Sequence, residues 1–308
     1  MKKQSIHSRL INAYLLITDR KSKYQERWFY SNPKNIGPSY KSYTSCTINF
    51  EIIDGRKLWI FEPKESNVER TIFFLHGGAF AKNFQSFHWR FIQRMCEKLN
   101  ARVLAADYPL IPESTYKQTH HFILKCYHFM DSTYDLSEFV VIGDSCGATL
   151  ALNSAHLLNE AGLSQPKEFI LLSPWLDLSL ANPQIGIINS SDPILDKEVL
   201  QNLGHHFADD LDPNDTLISP IYQDLRRIAP ITVFIGTRDI MLADCRKLKN
   251  LSASLPTVFT YREFEGMFHH WMYFDFPEGR MARKMIFDQI KLKPSEFELA
   301  MQKSEFGW

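Results

Sequence analysis

Three side chains of the types that hydrolytic chemistry requires stand in turn-like segments of this 308-residue sequence. Ser145 is the central residue of Gly143-Asp144-Ser145-Cys146-Gly147, which has the spacing G-x-S-x-G. A serine in a tight turn between a strand and a helix can attack a carbonyl carbon if a histidine takes its proton and a carboxylate orients that histidine. Asp239 and His269 supply these residue types further along the chain, in the order serine, acid, histidine.

A second glycine-containing loop could stabilise the negative charge that develops on a substrate carbonyl oxygen. His76-Gly77-Gly78-Ala79-Phe80 directly follows an apolar segment, and backbone N–H groups in such a loop can form an oxyanion hole. The candidate oxyanion donors are the backbone N–H groups of Gly77, Gly78, Ala79 and Cys146. We expect the Ala79 donor to be usable if its φ is negative. The side chain of Cys146 is expected to narrow the acyl pocket.

The elements that must position these residues alternate along the chain. Strand-like apolar runs are predicted at 47–53, 58–61, 71–75, 103–106, 139–142, 169–172, 231–235 and 258–264. Helical periodicity is found at 89–99, 116–130, 148–161 and 243–255. Repeated strand-then-helix units predict an α/β fold with a mostly parallel central sheet flanked by helices on both faces. Asp54-Gly55 predicts a hairpin at one antiparallel edge of that sheet.

Two segments fall outside this alternation. Near the start of the chain, apolar residues at helical spacing predict an amphipathic helix. These residues are Ile6, Leu10, Tyr14 and Ile17. Further on, 58 residues separate Leu172 from Ile231, which is longer than the other connections. Because ligands of open α/β sheets bind beyond the carboxyl ends of the strands, we expect this insertion to lie over that end.

The four motifs together resemble those of the hormone-sensitive-lipase branch of the α/β-hydrolase family, which includes many bacterial short-chain carboxylesterases. The motifs that carry the resemblance are His76-Gly77-Gly78-Ala79, Gly143-Asp144-Ser145-Cys146-Gly147, Gly236-Thr237-Arg238-Asp239 and Gly266-Met267-Phe268-His269. With supporting segments they extend over about residues 71–272, in the family's order. The resemblance implies the α/β-hydrolase fold with a helical cap. It also implies Ser145 as nucleophile, His269 as base and Asp239 as the carboxylate that orients His269.

The resemblance further implies a domain layout and an activity. Residues 1–45 would form an N-terminal cap segment, and residues 46–308 the catalytic domain, with a cap insertion at about 178–216. The expected activity is hydrolysis of short-chain acyl esters through an acyl-enzyme, with no cofactor and no metal. Two alternatives stay open: cleavage of another acyl bond (amide, carbamate or sugar acetyl), or a non-catalytic small-molecule receptor on the same scaffold.

Other residues of the same chemical types compete for these roles. Cys146 could be the nucleophile, although the turn is expected to expose only its central residue. His270 could replace His269, and either Asp244 or Asp275 could replace Asp239. A further group resembles metal ligands but matches no standard ligand spacing, so that a plain helix surface is favoured. Its members are His120, His121, Cys126 and His128.

The composition argues against several classes of partner. Thirty-five Lys and Arg residues balance 35 Asp and Glu residues, so we expect neither nucleic acid nor an anionic membrane as a partner. Five scattered cysteines without a C-x-x-C pair predict no disulfide framework, and no stretch approaches the roughly 18–20 apolar residues of a membrane span. The sequence therefore predicts a cytoplasmic protein that acts on a small-molecule ester. A homodimer remains open.

Overall fold

The computed structural model describes residues 4–18, 21, 37–38, 46–64, 68 and 70–291, so most of the predicted N-terminal cap segment lies outside the described residues. The strands are β1 (Cys46–Ile53), β2 (Arg56–Pro63), β3 (Arg70–Leu75), β4 (Ala101–Ala106), β5 (Phe139–Asp144), β6 (Glu168–Leu172), β7 (Ile231–Gly236) and β8 (Phe259–Phe264). The helices are α1 (Ile6–Ile17), α2 (Ser86–Leu99), α3 (Tyr116–Thr133), α4 (Cys146–Ala161), α5 (Pro183–Asn189), α6 (Lys197–Ala208), α7 (Leu242–Ser252) and α8 (Pro277–Lys291). Within the described part of the chain, none of these helices is long and apolar enough to cross a membrane.

The strands form one sheet in the order β1-β2-β4-β3-β5-β6-β7-β8. Strands β1 and β2 form an antiparallel hairpin, and β2 is antiparallel to β4. The remaining neighbours, from β4 through β8, are parallel. The predicted parallel sheet with an antiparallel hairpin at one edge is therefore confirmed. Asp54 and Gly55 both have positive φ at the hairpin turn, as a tight two-residue connection requires.

Apolar side chains are buried on both faces of the sheet, which fixes the register of each strand. Phe73 packs on one face in a cluster with residues of α3, α4 and α7. Its neighbour Phe74 points to the other face, into a cluster with residues of α2 and α8. A slip by one residue would exchange these two faces, so the strand ends are fixed as well. The loops beyond the carboxyl ends of β3, β5, β7 and β8 consequently emerge at one edge.

Helix α1 confirms the helix predicted from the spacing of its apolar residues, but it packs through its polar side. Ser8 and Asn12 are buried, and Asn12 Nδ2 donates a hydrogen bond to the backbone oxygen of Gly266 at 2.7 Å. Ser8 Oγ donates to a carboxylate oxygen of Glu278 on α8 at 3.1 Å. The exposed residues include the four whose spacing predicted the helix: Ile6, Leu10, Tyr14 and Ile17.

Helices α5 and α6 form the helical part of the long insertion between β6 and β7. The Asp196 carboxylate caps α6 by accepting hydrogen bonds from two backbone N–H groups of its first turn. Phe207 at the other end of α6 stacks on Phe80, with ring centroids 3.7 Å apart. Because Phe80 follows the glycine-containing loop after β3, this contact fixes the insertion beside that loop.

Candidate active site

Ser145 occupies a strained turn between β5 and α4. Its φ and ψ are 55° and −119°, a conformation that L-residues rarely adopt and that costs on the order of 1–3 kcal/mol. A Cβ atom at Gly147 would lie 2.1 Å from the backbone oxygen of Leu75, and one at Gly143 would lie 2.4 Å from the Cα of Ala148. Gly147 thus permits α4 to approach β3 closely, and Gly143 permits the first turn of α4 to pack on the end of β5. This geometry is that of a nucleophile elbow.

The predicted serine, acid and histidine side chains are in direct contact. His269 Nε2 lies 3.0 Å from Ser145 Oγ, and His269 Nδ1 lies 2.8 Å from an oxygen of Asp239. All three side chains are buried, with 5% of Ser145 exposed. Each residue comes from the loop beyond a different strand: Ser145 after β5, Asp239 after β7 and His269 after β8.

The hydrogen bonds assign the proton positions in this group. The Met241 N–H donates to the other oxygen of Asp239 at 3.0 Å, so the carboxylate accepts on both sides. A carboxylate that accepts from His269 requires the proton on Nδ1, which leaves Nε2 free to accept the hydroxyl proton of Ser145. The arrangement can therefore remove a proton from the serine as it attacks an electrophile.

The other candidates for the acid and the base contact different partners. Asp244 accepts a hydrogen bond from Asn182, and Asp275 binds the guanidinium of Arg283. The imidazole of His270 lies 3.3 Å from a carboxylate oxygen of Asp144. None of these three residues takes the place that the alternatives gave it beside Ser145 or His269.

The loop after β3 lies against the elbow. A Cβ atom at Gly77 would be 2.7 Å from a carboxylate oxygen of Asp144 and 3.1 Å from Ser145 Cβ, so only glycine permits this approach. The condition stated for the Ala79 donor, a negative φ, is not met, because its φ is 48° and that of Phe80 is 60°. These two left-handed residues turn the chain so that the N–H groups of residues 81 and 82 both donate to Gly78 O. The turn thus imposes on Ala79 a left-handed conformation that alanine by itself disfavours.

Cys146 contributes a buried thiol beneath this loop. Its sulfur atom accepts a hydrogen bond from the Phe80 N–H at 3.2 Å and lies 3.6 Å from the Tyr108 hydroxyl. Burial raises the pKa of Cys146 to about 12, so the thiol stays protonated and is a poor nucleophile. Its contacts are with the loop after β3 and with Tyr108.

The metal-ligand candidates on α3 do not come together as a site. Among the residues that the structure describes, no group of three or more His, Cys, Asp or Glu side chains could hold a metal ion. The expected plain helix surface is wrong for His120 and Cys126, which are buried, whereas His121 is exposed and lies 3.4 Å from Asp54. Burial lowers the pKa of His120 to about 4, which keeps that imidazole neutral.

Comparison with known proteins identifies the fold and its family. A family model described as alpha/beta hydrolase fold matches residues 72–273, which include all four motifs. The chain belongs to this family. The resemblance inferred from the motifs is thereby confirmed, and the sheet and the nucleophile elbow are those of an α/β hydrolase.

Similar proteins include named enzymes. An esterase from Acinetobacter venetianus is 29% identical over 222 residues, covering 71% of this chain and 73% of the relative. An acetyl-hydrolase from Streptomyces hygroscopicus is 28% identical over 227 residues, covering 73% and 75%. A crystal structure of an esterase from the bacterial hormone-sensitive lipase family superposes with a TM-score of 0.79 at 20% identity, covering 94% of this chain and 99% of that one.

Sequence reasoning missed a second carboxylate beside Asp239 in this α/β hydrolase. Asp192 is a buried residue of the insertion, and its two oxygens accept backbone hydrogen bonds from Ile194 at 2.8 Å, Leu195 at 2.9 Å and Ile240 at 3.0 Å. Ile240 directly follows Asp239. Burial, followed by the charge of Asp239, raises the pKa of Asp192 to about 7. The insertion is therefore bonded to the loop that carries the acid, through a residue for which the sequence held no signal beyond an Asp-Pro turn.

Another buried carboxylate, that of Asp144, directly precedes Ser145 in the chain. Asp144 accepts a hydrogen bond from His88 Nε2 at 3.0 Å, because His88 Nδ1 itself accepts the Gln85 N–H. His270 Nε2 contacts the same carboxylate oxygen of Asp144. Burial acts to raise the pKa of Asp144, but the electrostatic and hydrogen-bonding interactions with His270 and His88 outweigh burial and hold that pKa far below its usual range. Asp144, which precedes Ser145, and His270, which follows His269, are thus in contact with each other.

Replacing Asp192 with Asn is expected to change how stability depends on pH. The folded-state pKa of Asp192 is raised above the unfolded value, so the wild type loses stability as the pH rises from about 4 through about 7. The amide carries no charge and resembles the protonated acid. The melting temperature of Asp192→Asn should therefore rise relative to the wild type between pH 5 and pH 8. Asp131→Asn, on the exposed face of α3, is the matched control. Parallel curves for Asp192→Asn and the wild type would contradict the assignment.

The buried contacts of Asp144 predict a large loss of stability in Asp144→Asn. Removing one partner of a buried ionic contact costs about 3–5 kcal/mol of unfolding free energy. Asp275→Asn is the control, because Asp275 is 67% exposed and its ion pairs with Arg94 and Arg283 should contribute about 1 kcal/mol or less. Urea unfolding measures both values. Equal small losses in the two variants would show that the contacts of Asp144 do not stabilise the fold.

Proposed function

We propose that this α/β hydrolase is a serine carboxylic ester hydrolase with Ser145, His269 and Asp239 as its catalytic residues. The observation that carries the proposal is the buried relay in which His269 lies 3.0 Å from Ser145 Oγ and 2.8 Å from Asp239. The names of the relatives, an esterase and an acetyl-hydrolase, support the same class of reaction.

In the first half of the reaction, Ser145 Oγ attacks the ester carbonyl carbon while His269 Nε2 accepts its proton. Asp239 holds the imidazole in the tautomer that can accept this proton and stabilises the imidazolium that forms. The tetrahedral intermediate then breaks its bond to the alcohol oxygen, and the imidazolium returns the proton to that oxygen. An alcohol leaves, and the acyl group stays bonded to Ser145.

In the second half, water takes the place of the alcohol. His269 removes a proton from the water molecule as its oxygen attacks the acyl carbon, and the proton then passes to Ser145 Oγ. The carboxylic acid leaves and the free enzyme is restored. The cycle needs no redox partner, since no atom changes its oxidation state.

The negative charge on the carbonyl oxygen would be held by backbone N–H groups. Gly78 and Ala79 on the loop after β3 and Cys146 at the start of α4 are the proposed donors, with Gly77 allowing the loop to approach the elbow. Ala79 stays in this set although its φ of 48° does not meet the condition stated for it, because a positive φ changes the direction of the N–H group and does not remove the donor. The Cys146 thiol supports the loop by accepting the Phe80 N–H, and the Tyr108 hydroxyl supports it by donating to His76 O at 2.6 Å. Loss of a single oxyanion donor costs on the order of 3 kcal/mol in transition-state stabilisation.

We further propose short acyl groups as substrates and residues 1–45 together with about 178–216 as the cap. The stacking of Phe207 on Phe80 supports the second cap segment, because it brings the insertion to the oxyanion loop. The name of the acetyl-hydrolase relative supports a short acyl group. A receptor would not require the hydrogen bonds that connect Ser145, His269 and Asp239, so these contacts argue for catalysis. A cytoplasmic location stays a prediction.

Ser145→Ala tests the nucleophile. The wild type should hydrolyse p-nitrophenyl acetate and butyrate faster than the octanoate, and the variant should lose at least about 10⁴-fold in kcat because the acyl-enzyme cannot form. Cys146→Ala is the control, because it removes the other candidate nucleophile. It should keep activity within about tenfold, which corresponds to the loss of one weak hydrogen bond to the loop. The opposite ranking of the two variants would assign the chemistry to Cys146.

The adjacent histidines allow a paired test of the base. His269→Ala should lose at least about 10³-fold in kcat on p-nitrophenyl acetate, since the serine proton has no acceptor. His270→Asn should retain most of the activity, because asparagine tolerates the left-handed φ of 62° at this position. Pre-steady-state burst kinetics, with the substrate in excess over the enzyme, would separate acylation from deacylation. A larger loss in His270→Asn than in His269→Ala would overturn the assignment.

A further inference from the structure

The outward side of α1 is apolar along its whole length. Ile6 is 71% exposed, Leu10 64%, Tyr14 55% and Ile17 83%. They recur at the spacing i, i+4, i+8 and i+11, which places them in one stripe on the helix surface. Ala13, at i+7 in the same register, is exposed too. We call this set the α1 stripe.

The body of the protein holds α1 by its polar side, so the orientation of the stripe is fixed. The carboxylate of Glu278 accepts hydrogen bonds from the hydroxyl groups of Ser5 and Ser8, at 2.8 and 3.1 Å. The carbonyl oxygen of Gly266 accepts from the Asn12 and Gln4 side-chain amides at 2.7 and 3.2 Å. These bonds would be lost if the helix turned its stripe inward, and the buried carbonyl would then lack its donors.

The sequence around α1 is predominantly basic. The first 23 residues contain six Lys or Arg residues and a single acidic residue, Asp19, whereas the whole chain is neutral. Arg9 lies on the exposed part of the helix next to Leu10. An apolar stripe with basic flanks is the pattern of helices that lie in the interface of an anionic bilayer. The neutrality of the whole chain, which argued against a membrane partner, therefore conceals a basic segment.

We propose that α1 docks this protein on anionic lipid surfaces, with the α1 stripe in the boundary between headgroups and acyl chains. Arg9 and the other basic residues of the segment would bind the lipid phosphates, with the exception of Lys21, which is paired with Asp196. Each adds to the attraction only while the lipid is anionic and the salt is low. The helix lies parallel to the surface, because its inner side stays bonded to Gly266 and Glu278.

The docking surface continues toward the candidate active site. Gly266, to which α1 is bonded, begins the loop that carries His269. Lys21 Nζ donates to the Asn189 backbone oxygen at the end of α5 at 2.6 Å, and Ile187 on that helix is 77% exposed. A lipid surface bound by α1 would thus lie next to the insertion and the histidine loop.

A second copy of this chain is a poorer occupant of the stripe than lipid. In a two-fold dimer each residue of the patch faces the equivalent patch of its partner. The basic segment would then oppose its own copy, and like charges across an interface disfavour association. An anionic lipid surface supplies both the apolar layer and the opposite charge.

Vesicle binding by the full chain tests the proposal. We expect co-sedimentation with vesicles that contain phosphatidylcholine and phosphatidylglycerol, at least about tenfold stronger than with phosphatidylcholine alone, and weaker in about 0.5 M salt than in about 0.05 M salt. The double variant Leu10→Asp/Ile17→Asp should lose this binding, because two carboxylates would enter the stripe. Leu251→Asp is the matched control, since Leu251 is a 42% exposed leucine on α7, and it should bind like the wild type.

Three results would overturn the proposal: no binding to anionic vesicles, binding that the double variant retains, or a dimer in sedimentation velocity that the double variant disrupts while vesicles are not bound. Circular dichroism of the double variant should match the wild type, because both side chains point away from the body. The assay does not involve hydrolysis, and Ser145→Ala should bind vesicles as the wild type does. A failure of docking is therefore distinguishable from a failure of the proposed esterase activity.

Discussion

The positive φ of Ser145 is the constraint around which the site is arranged. A residue in that conformation persists only where its surroundings hold it on all sides. The Ser145 N–H donates to the Leu172 oxygen of β6, and its own carbonyl oxygen accepts the Trp175 N–H beyond that strand. On the other flank, Gly147 lies against the Leu75 carbonyl at the end of β3. Three adjacent parallel strands therefore contribute to one turn, and a sheet of different strand order could not form it.

The loop that carries His269 is positioned from two directions, and only one of them includes the contact between His269 and Asp239. On one side, Asp239 orients His269 while Asp192 binds the backbone immediately after Asp239. On the other side, His270 contacts the carboxylate of Asp144, which directly precedes the nucleophile. The insertion and the elbow are consequently linked through the same few residues. A displacement of the insertion would be transmitted first to the backbone of the acid loop.

Local signals predicted much of this molecule, and the parts that they missed depend on distant contacts. The strands, the elbow and the order of Ser145, Asp239 and His269 follow from apolar runs that end in turn residues. Asp192 gave no such signal, because its partner Ile240 lies 48 residues away. The residue types did not reveal the positive φ of Ala79, which belongs to a turn whose N–H groups donate to Gly78 O. The periodicity of the apolar residues located α1 but did not show which side of the helix is buried. That side is determined by hydrogen bonds to the carbonyl oxygen of Gly266 and to the carboxylate of Glu278.

The way α1 is attached determines which part of the protein unfolds locally first. Its bonds to Glu278 and Gly266 are side-chain hydrogen bonds, and only Ile11 and Leu15 pack partly against the apolar cluster beneath it. Segments with few buried apolar contacts separate from a fold at a lower free energy than its core strands. The amide hydrogens of α1 should therefore exchange with solvent long before those of β5. Helix α1 can separate from the body of the protein while the sheet stays folded.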